Sequence, residues 1–254
     1  MDYAVIKLGG SVISPRKELL NTEIVRGYLE EIRKFYAGDR AGKPRLVLVV
    51  GGGNISRVYR DFADSCGEDN DVDRHRIGIT TTWVNAELMR SLLGEIAFER
   101  VLGVGVYAEN QKEAEKSMAK DFEAWLGSDI PVLVSGGFIN GASTDLNAVL
   151  IASKIGTDRI FKLTDVDHVY SSDPRVDEEA KPLDSLSWTE LFRLFDATLE
   201  NPQHTPGGHI PVDLLAARLA LENKIGCFLT DGREAGKISD ILEEKEIPGT
   251  FIHP

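Results

Sequence analysis

The chain has few cysteines and no obvious arrangement of metal ligands. Cys66 and Cys227 are its two cysteines, and they lack the spacing of a metal-binding or redox motif. We expect both to be reduced thiols, Cys66 at a helix end and Cys227 in the core of a strand. Histidines 75, 168, 204 and 209 also lack metal-ligand spacing, so no protein-held metal site is predicted.

Long apolar runs and an excess of basic charge are missing too. No stretch of about 18 apolar residues occurs, and Met1 leads directly into a strand pattern, so we expect neither a membrane span nor a signal sequence. The expected location is cytoplasmic. Lys+Arg 29 against Asp+Glu 41 gives a net charge of −12, which argues against nucleic acid or an anionic membrane as a partner.

Two familiar phosphate-binding motifs are absent, but glycine-rich strand ends are present. There is no GxxxxGK[ST], and no GxGxxG lies between a strand and a helix. Instead the apolar segment 47–50 runs into Gly51-Gly52-Gly53-Asn54, and the segment 4–8, which carries Lys7, runs into Gly9-Gly10-Ser11. Glycine lets backbone N–H groups approach an anion, and a following helix adds its positive end. These strand ends predict a phosphate-handling site.

Strand and helix patterns alternate along the whole chain. This alternation predicts an α/β fold, a three-layer αβα sandwich with a largely parallel central sheet. We expect one domain over 1–254, with lobes at about 1–155 and 156–254. Among the weaker elements, 101–107 is predicted as a strand, 201–208 as a loop, and 249–252 as a last edge strand. Asp213 has two interpretations left open, a helix N-cap or a functional residue.

Several short motifs occur in an order that resembles the amino acid kinase superfamily, and within it the bacterial and archaeal uridylate kinases most. The matching segments are 7–11, 51–54 with Arg57, 77–79, 82–85, 143–145, 162–167, 169–174, 212–217 and 249–250. The resemblance implies phosphoryl transfer from ATP with Mg²⁺ to a small anionic acceptor, most simply UMP. It also implies a homo-oligomer, a dimer or hexamer.

The resemblance assigns roles to individual residues. Lys7 and Asp145 are implied as catalytic, because a transferred phosphoryl group needs charge neutralisation and positioning. The larger sets follow in chain order. Phosphate binding is implied for Gly9, Gly10, Ser11, Gly52 and Gly53; acceptor binding for Arg57, His75, Thr82, Ser143 and Thr144; ATP binding for Lys162, Thr164, Tyr170 and Asp173. Mg²⁺ is expected to arrive on ATP.

The chain departs from the uridylate kinase pattern mainly on the acceptor side. His75 stands where those kinases usually have an aspartate, His168 replaces a turn glycine, and the glycine loop at 136–142 differs. Three hypotheses therefore stay open. The chain is a UMP kinase, a kinase of the same superfamily acting on another phosphate, carboxylate or carbamate, or a non-catalytic nucleotide or anion binder.

Overall fold

Seven strands form one mostly parallel sheet in the computed structural model, which describes residues 1–67, 70–195 and 210–254. Their spatial order is β3-β2-β1-β4-β8-β9-β7, and a separate two-stranded sheet pairs β5 with β6. The strands are β1 Tyr3–Leu8, β2 Arg45–Val50, β3 Val132–Ser135, β4 Arg159–Thr164, β5 Val169–Tyr170, β6 Pro182–Leu183, β7 Ser185–Ser187, β8 Gly226–Asp231 and β9 Thr250–His253. The predicted α/β fold is confirmed.

Helices cover both faces of this sheet, which explains why its central strands are apolar on both sides. In β1, Val5 belongs to one core cluster and Ile6 to the other, and both are 0% exposed. The helices are α1 Gly10–Ile13, α2 Thr22–Phe35, α3 Gly53–Ser65, α4 Asp71–Leu93, α5 Gln111–Leu126, α6 Thr144–Ile155, α7 Trp188–Leu194, α8 Leu214–Glu222 and α9 Lys237–Leu242. Side chains of α5, α6, α7 and α8 fill the first cluster, and those of α1, α2, α4 and α9 fill the second.

Two of the predicted strands differ in the structure. Residues 101–107 form one isolated bridge, between Leu102 and Ser135, rather than a strand. Gly103 and Gly105 adopt φ values of +90° and +81°, which interrupt an extended backbone. The last strand, β9, is not an edge: it pairs antiparallel with β8 and parallel with β7, so that Ser185–Ser187 forms the edge.

Helix α4 begins earlier than its apolar pattern suggests. The Asn70 side chain accepts a hydrogen bond from the backbone N–H of Val72, and this cap starts the helix at Asp71. The additional turn includes His75 and brings it onto the same helix as Thr82. The helix ends at Leu93, before Gly94 at φ +63°.

The cysteines lie where the sequence predicts. Cys66 caps the C-terminus of α3 and is exposed, while Cys227 is buried in β8. Burial raises the pKa of the Cys227 thiol to about 12, so it stays protonated at neutral pH. Within the described ranges, no helix is long and apolar enough to cross a bilayer. The predicted loop at 201–208 lies outside the described residues.

Candidate active site

The two glycine-rich strand ends meet because β1 and β2 are parallel neighbours. Lys7 pairs in register with Val49, and Leu8 with Val50, so both chains leave the sheet at the same edge. A Cβ on Gly10 would lie 2.1 Å from the Gly53 nitrogen. Gly53 also has φ +64°, and a Cβ there would lie 2.3 Å from the Gly10 oxygen. Only glycine fits at either position.

Helix α3 starts at this junction, and Ser14 accepts hydrogen bonds from part of its first turn. The backbone N–H of Asn54 donates to the Ser14 carbonyl oxygen at 2.8 Å, and that of Ile55 donates to Ser14 Oγ at 3.4 Å. The N–H groups that this helix start offers to an anion are therefore those of Gly52, its N-cap, and Gly53. The bend before it is fixed by Asn85 of α4. The Asn85 amide donates to the carbonyl oxygens of Gly51 at 2.8 Å and Gly52 at 3.1 Å.

A buried charged centre lies next to the glycine junction. Lys7 of β1 pairs in register with Lys162 of β4, which places the two lysines side by side on adjacent strands. Lys7 Nζ lies 2.9 Å from Asp145 Oδ1, and Lys162 Nζ donates to Asp145 Oδ2. The side chain of Lys7 is 10% exposed, that of Lys162 is 7% exposed, and that of Asp145 is 5% exposed. Two ammonium groups therefore share one carboxylate.

The charges of this centre do not cancel. Burial alone would raise the pKa of Asp145, but the ammonium groups of Lys162 and Lys7 outweigh it and hold this pKa well below its usual range. Burial lowers the pKa of Lys7, and the adjacent Lys162 lowers it further, while Asp145 opposes both. With both lysines protonated, the centre carries one surplus positive charge, which suits a phosphoryl group in transit.

The start of α6 and the start of α8 converge on Asp145. Ser143 caps α6 by accepting the Asp145 backbone N–H at 3.2 Å. The backbone N–H of Asp213 donates to Asp145 Oδ2 at 3.1 Å. The Asp213 side chain caps α8 through the N–H of Ala216 at 2.9 Å, so the capping interpretation of this residue is confirmed.

A cavity of about 360 Å³ opens beside the charged centre. Many of the residues singled out in the sequence line it: Lys7, Gly9, Gly10, Ser11, Gly52, Gly53, Arg57, His75, Thr82, Ser143, Thr144 and Thr164. Thr164 thus borders the space predicted to hold the acceptor, although the sequence assigns it to ATP. Asp145 and Lys162 do not line this cavity. Asp145 pairs both with Lys7, which does line it, and with Lys162.

Thr82 contributes to the cavity wall mainly by positioning a loop. Its hydroxyl donates to the Ile79 carbonyl oxygen and accepts the Gly137 backbone N–H, both at 2.6 Å. The Trp83 indole N–H donates to the Gly137 carbonyl oxygen at 2.7 Å. These bonds attach the loop after β3 to α4, opposite α3.

Two of the predicted ATP-binding residues lie away from this cavity. Tyr170 belongs to β5, and its hydroxyl donates to Asp167 at 3.1 Å. Asp173 forms an ion pair with Arg175 at 2.6 Å. Neither residue lines the cavity, and so their assignment to ATP stays a prediction.

Sequence reasoning missed two features of the site. Arg60, one turn after Arg57 on α3, also lines the cavity. The pairing of Lys162 with Asp145 was missed as well, since the sequence places Lys162 with the nucleotide. A signal for it exists, because Lys162, like Lys7, stands alone among apolar neighbours in a strand.

The described residues contain no group of three or more His, Cys, Asp or Glu side chains that could hold a metal ion. Asp145 has both carboxylate oxygens in ion pairs with lysines. These residues are compatible with a divalent ion that arrives on nucleotide phosphates, and the delivery of Mg²⁺ by ATP stays a prediction.

Comparison with known proteins identifies the class to which this fold and site belong. A sequence profile described as the amino acid kinase family matches residues 2–231, and the chain belongs to that family. Uridylate kinase from Methanospirillum hungatei is 29% identical over 252 residues, covering 99% of this chain and 95% of that protein. Uridylate kinase from Haloarcula marismortui is 29% identical over 250 residues and covers 98% of each.

Solved structures show the same likeness. The crystal structure of uridylate kinase from Archaeoglobus fulgidus superposes with a TM-score of 0.72 at 28% identity, covering 98% of this chain and 99% of that one. UMP kinase from Bacillus anthracis has a TM-score of 0.67 at 22% identity, covering 99% of this chain and 96% of that one, and supports the fold alone. The mostly parallel seven-stranded sheet is therefore that of an amino acid kinase.

Proposed function

We propose that this chain is a UMP kinase, which transfers the γ-phosphoryl group of ATP to the phosphate of UMP and releases ADP and UDP. The observation that carries the proposal is the buried pair of lysines on Asp145, next to two glycine turns and a basic cavity. The full-length similarity to uridylate kinases supports the choice of acceptor.

Each group of residues has a part in this transfer. The bond between the γ-phosphorus and the bridging oxygen of ATP breaks while a bond forms to an oxygen of the UMP phosphate. Lys7 neutralises charge on the group in transit, and Asp145 holds Lys7 and Lys162 in place. Backbone N–H groups at Gly10, Gly52 and Gly53 keep the phosphates in line. Mg²⁺ bound to ATP would neutralise part of the phosphate charge.

Arg57 is the proposed ligand of the acceptor phosphate. Its Nε is buried and has no hydrogen-bond partner among the described residues, so an anion in the cavity would satisfy it. Desolvation by burial lowers the pKa of Arg57, and nearby Arg16 lowers it further, but a guanidinium remains charged at neutral pH.

A coupled assay of ADP release with ATP, Mg²⁺ and UMP tests the proposal. We expect ADP release that depends on UMP, with UDP as the product. In Arg57→Ala the KM for UMP should rise by about tenfold or more, because a charge-assisted bond is lost, while the KM for ATP changes little. Exposed Arg26→Ala serves as the charge-matched control.

Two other outcomes are defined by the same assay. Transfer to a different phosphate, carboxylate or carbamate, without transfer to UMP, would replace the acceptor and keep the reaction class. Saturable ATP binding without turnover on any acceptor would favour a non-catalytic binder and overturn the kinase proposal. A homo-oligomer and a cytoplasmic location stay predictions, which gel filtration with light scattering and cell fractionation would check.

A further inference from the structure

Basic side chains line the cavity both at the transfer centre and beyond it. Lys7, Arg57, Arg60 and His75 all contribute to its wall, and no aspartate or glutamate among the described residues does. This is unusual in a chain with a net charge of −12, whose overall field repels anions. A local basic wall in such a chain indicates a ligand with concentrated negative charge.

The surplus lies at the end away from Lys7. Lys7 is already balanced by Asp145 at 2.9 Å. Arg57, Arg60 and His75 form no ion pair with any carboxylate in the described ranges. Among the residues that the structure describes, Arg60 Nε donates only to the Ser56 carbonyl oxygen at 3.2 Å, and Arg57 Nε has no hydrogen-bond partner. One phosphate of an acceptor accounts for Arg57, which leaves Arg60 and His75 unexplained.

Helix geometry separates these two side chains from the transfer centre. Arg60 lies seven residues beyond Gly53, the first residue of α3, or roughly 10 Å along the helix. His75 lies ten residues before Asn85, which bonds the glycine bend, or roughly 15 Å along α4.

The two helices and the loop after β3 bring Arg60 and His75 to the same end of the cavity. The helices pack closely where a Cβ on Gly78 would lie 3.6 Å from Ser56 Oγ and 3.8 Å from Arg60 Cδ. A Cβ on Gly141 would lie 3.5 Å from His75 Cε1, so the imidazole faces the loop that closes this end.

We propose that Arg60 and His75 form a second anion-binding position, and that the preferred acceptor is a nucleoside monophosphate with an additional anionic group on its sugar or base. This inference rests on the proposed function, since it concerns the acceptor of the same transfer. Guanidinium and imidazole nitrogens bind a phosphate or carboxylate more strongly than a neutral hydroxyl or carbonyl. The first phosphate receives the phosphoryl group near Lys7, and the second group binds at the far end.

Three acceptors separate the possibilities in the ADP-release assay: UMP, uridine 3′,5′-bisphosphate and orotidine 5′-monophosphate. We expect kcat/KM for at least one of the doubly anionic compounds to exceed that for UMP by about tenfold or more. Preference for the bisphosphate would place the second group on the sugar. Preference for the carboxylated base would place it on the base.

Variants connect the preference to the two side chains. The preference is the ratio of kcat/KM for the better doubly anionic compound to kcat/KM for UMP. Arg60→Gln and His75→Asp should each bring this ratio to within about threefold of one, and His75→Asp should also raise kcat/KM for UMP. Arg76→Ala is the matched control. Arg76 follows His75 on the same helix, pairs with Asp73 at 3.7 Å and does not line the cavity, so its loss should leave the preference unchanged.

Different assay results would contradict the second anion-binding position and the kinase activity. The second anion-binding position is contradicted if kcat/KM for UMP equals that for both doubly anionic compounds. It is also contradicted if the preference survives in Arg60→Gln and His75→Asp. Either result leaves the kinase assignment intact. No transfer to any of the three would overturn the proposed function. Calorimetric titration of the same compounds without ATP then decides the inference separately, because equal affinities would contradict it.

Discussion

The two ends of the cavity are built from different elements and have different charge balance. At one end Lys7, Lys162 and Asp145 are buried, and each side chain has a charged partner at the strand ends or at the start of a helix. At the other end Arg60 and His75, with Arg57 between them and the transfer centre, are half-buried side chains of helices, and none of the three forms an ion pair with a carboxylate of the described residues. The sheet thus fixes the groups that suit phosphoryl transfer, while the helices carry the groups that face the acceptor.

This difference has a consequence for substitution. Buried groups with mutual partners are costly to change singly, because the remaining partner keeps a buried charge. Half-buried basic side chains can be replaced with little effect on folding, and their replacement alters ligand affinity instead. We therefore expect the first end to govern both stability and kcat, and the second end to govern acceptor choice.

Asp145→Asn is the strongest test of this division. It would leave the ammonium groups of Lys7 and Lys162 buried without a carboxylate, which should lower the free energy of unfolding by about 3–5 kcal/mol. Loss of lysine positioning should lower kcat by roughly 10³-fold. Denaturant unfolding and ADP release measure the two effects. Asp158→Asn, at an exposed carboxylate paired with Arg159, is the control and should change neither by much.

Lys7→Met should separate catalysis from stability at the same end. Removing one ammonium leaves Lys162 and Asp145 as a balanced pair, so the free energy of unfolding should stay within about 1 kcal/mol of the original or rise. The value of kcat should nevertheless fall by roughly 10²- to 10³-fold. Lys34→Met on the surface of α2 is the control. A variant that unfolds readily but keeps its kcat would reverse the roles given to Lys7.

Lowering the pH should reduce the contribution of Asp145, at the buried end of the cavity, to the free energy of unfolding. The folded-state pKa of Asp145 lies below its unfolded value of about 3.9, so its ionised form stabilises the fold above roughly pH 4. That contribution is lost as the pH falls from there toward the folded pKa. The difference in unfolding free energy between the original chain and Asp145→Asn should therefore be constant from about pH 5 to 7 and shrink below pH 4. A difference that does not change with acidification would contradict the assignment of this pKa.

The sequence predicts the first end better than the second, for physical reasons. Lys7 in an apolar strand before two glycines is a local signal, and parallel pairing makes the meeting of Gly10 with Gly53 a consequence of the fold. The pairing of Lys162 with Asp145 depends on which strand lies next to β1, a long-range choice that no local pattern reveals. The sequence therefore does not reveal this pairing, and its assignment of Lys162 to ATP stays a prediction.

Similar limits apply to the strands and to the far end of the cavity. Residues 101–107 have the apolar content of a strand, but two glycines with positive φ prevent a regular ladder. The position of β9 inside the sheet depends on the short strand β7, which lies in a polar stretch without a strand pattern. Arg60 looks like a solvent-exposed helix residue in the sequence, because only the packing of α3 against α4 brings it to the cavity.

Thr82 lies between the two ends of the cavity, and Thr82→Val should have the smallest effect of these substitutions. Valine keeps the shape of threonine but removes the hydroxyl that accepts the Gly137 N–H, and it leaves that buried donor without a partner. The free energy of unfolding should fall by about 1–3 kcal/mol, and the KM for the acceptor should rise severalfold as the loop shifts. Thr82→Ser retains the hydroxyl and should restore the KM for the acceptor. If serine fails to do so while valine raises this KM, then the methyl group rather than the hydrogen bond positions the loop.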